Sequence, residues 1–161
     1  MQTTTTSTPL IEQLFMKRNA TLSIFIGFIL IAEILDAMLT GLYGQYEWLE
    51  SFASIAGVLI FLLMMITLVR LFRVSRNVSG SVFWFGNYQD EYLNHVNLKG
   101  YKYVFNIACF VLIAAFVLDD YSGAVATQYS IGELARVMAG VIFLSYGLPV
   151  WYLLRSDNAD E

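Results

Sequence analysis

Phe28-Ile-Leu-Ile-Ala-Glu-Ile-Leu-Asp36 lies at the centre of a long apolar segment and carries two carboxylates where a membrane helix ordinarily carries none. Between Arg18 and Glu47 the only charged residues are Glu33 and Asp36, and the stretches 51–69, 103–118 and 137–154 carry no charge at all. A bilayer core takes about 20 apolar residues per helix, with a range of about 17 to 25. The chain therefore reads as four membrane spans, the third only just long enough and using Tyr101 or Asp119 at an interface. The composition agrees: 58% of the 161 residues are hydrophobic, 14% are charged, and the mean hydropathy is +0.62, outside the usual range of a soluble domain.

The same counts exclude several classes of function. Cys109 is the single cysteine and falls inside the third span, so no disulfide framework or thiolate metal cluster can be built. A net charge of -4 gives no electrostatic case for nucleic acid. His95 is the single histidine, which excludes a haem held by two imidazoles of one chain and leaves zinc unsupported. No nucleophile and base arrangement, glycine-rich phosphate loop or acid pair in an aqueous cleft is present. No catalytic, cofactor or metal residue is therefore assigned.

Orientation follows from the basic residues, which favour the cytoplasmic side. Lys17, Arg18, Arg70, Arg73, Arg76, Lys99, Lys102 and Arg155 precede the first span, lie between the second and third, or follow the fourth, and only Arg136 falls on the other side. Both termini are expected in the cytoplasm. Tyr43, Tyr46 and Trp48 then mark the outer boundary, and Phe83, Trp84, Phe85, Trp151 and Tyr152 the inner one. The first apolar run is too long for a signal sequence, lacks a small-residue cleavage site, and is read as retained.

The opening segment has an echo. Phe28-Ile-Leu-Ile-Ala32 recurs as Phe110-Val-Leu-Ile-Ala114, each followed by a Leu-Asp ending at Asp36 and Asp119. Gln45-Tyr46 recurs as Gln128-Tyr129, and in both copies Ala-Gly-Val begins eleven residues later, at Ala56 and Ala139. An internal repeat of this kind predicts two tandem helix hairpins. Both copies run in the same direction through the membrane, so a pseudo-twofold axis along the membrane normal is expected, not an inverted repeat.

The expected organisation is an all-α, single-domain integral membrane four-helix bundle. Residues 1–8 form a polar tail, 9–80 the first helix pair, 81–102 a cytoplasmic link, 103–155 the second pair and 156–161 an acidic tail. Pro9 after Thr8 suits a helix start. Leu10, Ile11 and Leu14, like Tyr92, Leu93 and Val96, predict a short amphipathic stretch before each pair, either lying in the inner interface or extending the helix that follows. Ala53, Gly57, Ala135, Ala139 and Gly140 are the expected close-contact residues, and Pro149 is expected to kink or unwind the last span.

Within the link, Asp90-Glu91, then Val96, Lys99 and Gly100 just before the third span form an Asp-Glu, seven residues, Lys, small-residue pattern. It resembles a family of uncharacterised small prokaryotic four-helix membrane proteins, although Tyr92 stands where that family usually has Arg. The resemblance implies a four-helix inner-membrane fold with a cytoplasmic link, and no activity.

Two groups of residues are candidates for function. Glu33 and Asp36, three apart, share one helix face, with Glu33 roughly 13 Å from the helix end near Leu42 by rise per residue. An ionisable group at that depth costs about 2.5 to 3.5 kcal/mol on insertion scales and calls for a partner or water. Either Asp36 pairs with Arg136 structurally, or Glu33 serves a proton or cation pathway. Asp90, Glu91, His95 and Lys99 are the second group, a candidate interaction surface on the link. Arg70, Arg73 and Arg76 sit at the cytoplasmic boundary, where lipid headgroups explain them better than voltage sensing. Asn19-Ala-Thr21 and Asn77-Val-Ser79 match glycosylation acceptors but fall on the cytoplasmic side.

The function expected is a non-enzymatic accessory, regulatory or protein-interaction role in the inner membrane, with small proton- or cation-coupled transport through Glu33 as the alternative. The expected partners are the lipid bilayer and either a membrane or cytoplasmic protein or a second copy of the chain, and no nucleic acid or cofactor.

Overall fold

The computed structural model describes residues 8–43, 47–122 and 131–156, with side chains described except within 33–47, 49–50 and 118–131. Every described element is helical: α1 (Pro9–Tyr43), α2 (Glu47–Ser75), α3 (Gly80–Phe85), α4 (Glu91–Ser122) and α5 (Ile131–Ser156). The four long helices are long and apolar enough to cross a membrane. Four of their hydroxyls suit an apolar surrounding, because they are satisfied within their own helix: Thr21, Ser23, Thr67 and Ser145 donate to the carbonyl four residues back, at 2.6–3.0 Å.

Pro9 starts α1 as expected, the Thr8 carbonyl accepting from Ile11 and Glu12 at 2.9 and 3.2 Å. The stretch with Tyr92, Leu93 and Val96 extends the helix that follows, so that residues 91–102 belong to one unbroken α4. Pro149 lies inside α5, which runs through it without unwinding. Proline removes one donor from the ladder there, and the helix continues on either side.

α1 and α5 form the main interface, α2 packs on α1, and α4 packs on α5. Among the described residues α2 and α4 share no comparable interface. A twofold exchanging the hairpins would match the α1–α5 contact with an α4–α2 contact, so the helices dock asymmetrically. The α1–α5 seam is made by glycine. A Cβ on Gly27 would stand 2.9 Å from the Gly140 carbonyl oxygen, and one on Gly140 would stand 3.2 Å from the Gly27 carbonyl oxygen. Lipid supplies no hydrophobic drive between helices, so such backbone approach is what holds them. Of the expected contact residues, Gly140 fills the role; Gly57 meets nothing within 4 Å and Ala135 is exposed, because α2 and the start of α5 turn those positions outward.

The core gathers at the end of the bundle where Pro9, the 76–90 link and Ser156 lie. Phe15, Met16 and Ala20 of α1, Val74 of α2, Val82 of α3, Leu93 and Val96 of α4, and Val150 and Leu154 of α5 are buried together. Near the membrane boundary water restores the drive to bury such groups, at about 1.5–3 kcal/mol for a full Val or Leu side chain. Beyond that core the helices turn long apolar faces outward, including Phe61, Leu62 and Ile66 of α2 and Phe105, Phe110 and Phe116 of α4, the pattern of lipid-facing surface.

The amphipathic stripe expected at Leu10, Ile11 and Leu14 is rotated. Leu10 and Leu14 are exposed, while Glu12, Phe15 and Met16 are buried. The reason is chemical: Glu12 turns inward because the link offers it a backbone donor.

Candidate functional site

The link is held like a folded element. α3 is capped by Ser79, whose hydroxyl accepts from Val82 N at 3.4 Å, and ends at Gly86 in the left-handed region (φ 63°). Four consecutive backbone N–H groups then find acceptors. Gly86 donates to Val82 O at 3.0 Å and Asn87 to Ser81 O at 3.3 Å. Tyr88 donates to Asn94 Oδ1 at 2.9 Å and Gln89 to Glu12 Oε2 at 2.8 Å. The last two acceptors are side chains from α4 and α1, so the link is tied to two different spans. Asn94 closes a two-way clasp, its Nδ2 donating back to Tyr88 O at 2.6 Å.

One turn along α4, Asn97 extends the network. Its Nδ2 donates to Gly86 O at 3.3 Å and its Oδ1 accepts from the Tyr146 hydroxyl of α5 at 2.8 Å. Gly86 has to be glycine on two counts: a Cβ would lie 2.6 Å from Asn97 Nδ2, and the positive φ disfavours any side chain. Gly100 admits α5 in the same way, since a Cβ there would lie 2.7 Å from Val150 Cγ2 and 3.1 Å from the Tyr146 ring. Tyr92 fastens the far side, its hydroxyl donating to Leu153 O at 3.1 Å.

Glu12 is fully buried, Asn97 nearly so, and Tyr88 is 6% exposed. Burial pushes the Tyr88 phenol well above its ordinary value, with further upward contributions from Tyr146, Tyr101 and Glu12. Because the folded state holds that proton more tightly, Tyr88 contributes stability that is complete below pH about 10 and is lost as the pH rises above it. Alkaline unfolding followed by tyrosinate absorbance should show Tyr88 ionising only with loss of the fold. Tyr88→Phe should flatten the alkaline limb; an unchanged limb would show that Tyr88 is not the titrating group.

The clasp leaves α3 displaying aromatic surface. Trp84 and Phe85 are 76% and 78% exposed, while Phe83 tucks back against Trp84 edge-on at 5.0 Å and against Phe15 at 6.0 Å. Behind α3 a cavity of about 270 Å³ lies among all five helices, its walls including Phe15, Asn19, Ser75, Asn97 and Tyr101. A second of about 240 Å³ continues along α1, α4 and α5, past Ser23, Val104, Ile142 and Phe143. Asn19, Tyr101 and Tyr146 line both.

The residues singled out in the sequence fare differently. Asp90 is the N-cap of α4, its Oδ1 accepting from Tyr92 N at 2.8 Å and Leu93 N at 3.3 Å, so its carboxylate serves the helix. Glu91, His95 and Lys99 share one exposed face of α4 at four-residue spacing, and the structure does not bring Asp90 to them. Among the described residues no three His, Cys, Asp or Glu side chains converge. Glu33 and Asp36 lie in α1, but their side chains, and with them the Asp36–Arg136 pair, are outside the described residues; Arg136 itself is exposed near the start of α5.

Glu12, Asn94, Asn97 and Tyr146 carry the site and were not singled out in the sequence, and Asn19 stood out there only within a glycosylation match. An acid in a first helical turn reads as favoured by the helix dipole, which conceals Glu12. The asparagine pair three apart on α4, one turn before Gly100, is the signal that a buried polar face begins there. No family model matches the chain, and neither a curated protein nor a solved structure gives a significant match.

Proposed function

We propose that this chain is a multi-pass inner-membrane protein with both termini in the cytoplasm, which acts without catalysis by presenting its clasped link to a membrane or cytoplasmic protein partner. The observation that carries the reading is the link itself. Four successive amides, together with Glu12 of α1 and Asn94 and Asn97 of α4, hold the end of the 76–90 link in one conformation, which leaves Trp84 and Phe85 pointing out. Ordering this much backbone is unfavourable by about 1–2 kcal/mol per residue, more than a passive connection between spans requires. Aromatic residues held rigid are also the usual anchors of interfaces.

Orientation is supported by eight of the nine Lys and Arg residues falling at or near the link end. We read the two helix pairs as a tandem duplication whose halves have diverged in how they dock. Nothing beyond the position of Glu33 in the sequence favours proton- or cation-coupled transport.

A photo-crosslinking residue placed at Phe85 in native membranes tests the proposal. A discrete protein adduct at Phe85, absent when the probe sits at lipid-facing Phe105 of α4, is expected. Lipid adducts alone at both positions would reduce α3 to an interfacial anchor and contradict the reading.

A further inference from the structure

The two cavities stack along one side of the bundle, where α2 and α4 share no substantial interface. Phe72 of α2, Trp84 of α3 and Tyr101 of α4 line the lower cavity and are all exposed, so they form its mouth. No Lys, Arg, Asp, Glu or His lines either cavity. A charged ligand group would be left unpaired inside, which is strongly unfavourable, so an occupant is uncharged where it is enclosed.

The lining changes along the stack. The lower cavity combines aromatic side chains with the polar groups of Asn19, Ser75 and Asn97, and the upper one adds Val104, Ile142 and Phe143. At liquid density the lower cavity would hold about nine waters, yet every buried side-chain N or O among the described residues already has a partner. Seven of its thirteen lining residues are aromatic. Such rings gain most from a second ring, offset or edge-on, whereas a plain acyl chain has no use for them. Tyr101 and Tyr146 stand at the junction with centroids 5.4 Å apart. Asn19 lines both cavities beside Tyr146. An amide has four hydrogen-bonding positions, so Asn19 keeps donor capacity for a carbonyl at the waist.

We infer that the stacked cavities form a lateral site for a neutral amphiphile with a flat, carbonyl-bearing ring and a hydrocarbon tail, a quinone-type molecule taken from the bilayer. The ring lies in the lower cavity with a carbonyl on Asn19, and the tail follows Val104, Ile142 and Phe143 out between the helices. The site shares Trp84 with the α3 surface proposed for a partner, whereas Phe85, the crosslinking position, lies outside its lining.

The test titrates decyl-substituted benzoquinone into the full chain in nanodiscs and follows tryptophan emission. Saturable quenching is expected, with most of it lost in Trp84→Phe. Ser75→Phe, which fills the lower cavity, should weaken binding about tenfold or more. The Ser75 hydroxyl bonds only Phe72 O of its own helix, so this variant should melt like the parent. Asn19→Ala should weaken binding about fivefold, as loss of one neutral hydrogen bond does. Monodecanoylglycerol, with the same chain length and no ring, should not displace the quinone. Quenching that rises linearly and is equal in Ser75→Phe would mean partition into the bilayer alone, and equal displacement by monodecanoylglycerol would mean a chain groove without ring recognition; either overturns the inference.

Discussion

Replacing Glu12 by alanine is expected to lower the unfolding free energy by about 3 kcal/mol. Two effects add. The Gln89 N–H, now bonded to Glu12 Oε2 at 2.8 Å in a part-buried setting, loses its acceptor, at about 1 kcal/mol. A fully buried side chain is also removed, which leaves a void. Glu12→Gln keeps an acceptor of the same shape and should lose about 1 kcal/mol or less. Reversible unfolding in detergent micelles measures both. If Glu12→Ala fell within about 0.5 kcal/mol of the parent, the link would not depend on α1.

The second large effect is expected at Gly27. Alanine in an ordinary helix position is more favourable than glycine by about 1 kcal/mol, so Gly57→Ala, with nothing within 4 Å, should be neutral or slightly stabilising. At Gly27 the same methyl would stand 2.7 Å from Leu144 Cγ and 2.9 Å from the Gly140 carbonyl oxygen. The leucine side chain can give way, but the backbone of α5 cannot do so without opening the seam. Gly27→Ala should therefore destabilise by about 2 kcal/mol despite its helix preference, and Gly27→Leu by more, since overpacking costs about 1–3 kcal/mol for modest insertions. Thermal unfolding of Gly27→Ala beside Gly57→Ala decides the point. Equal melting of the two would place the close approach elsewhere.

Much of the architecture was legible in the sequence, because a membrane span announces itself by length and lack of charge. The four long helices, the start at Pro9 and the small-residue contact at Gly140 follow from simple counts and spacings. The site was less legible. Its polar groups are drawn from Glu12, Asn94, Asn97 and Tyr146, which are scattered over three helices and meet only once those helices pack. Glu33 attracted notice as a carboxylate at mid-membrane depth; Glu12 did not, because near a helix start an acid is ordinary. The start of α4 is hard to see in the sequence for a related reason. Asp90 and Glu91 look like a polar surface in the sequence, whereas Asp90 caps a helix whose buried face, Leu93, Val96, Asn97 and Gly100, starts at once. Nothing in residue order says that the side chains of α4 reach back to bind the segment preceding it.

Amide hydrogen exchange of the chain in nanodiscs tests the clasped link most directly. The amides of Gly86, Asn87, Tyr88 and Gln89 should exchange at least about a hundredfold more slowly than an unstructured chain, the factor that an opening free energy of about 2.7 kcal/mol gives. In Glu12→Ala, Gln89 should lose that protection while the interior of α4 keeps it. Exchange of all four amides at the rate of a free loop would contradict the clasp, and with it the proposal that α3 is held out for a partner.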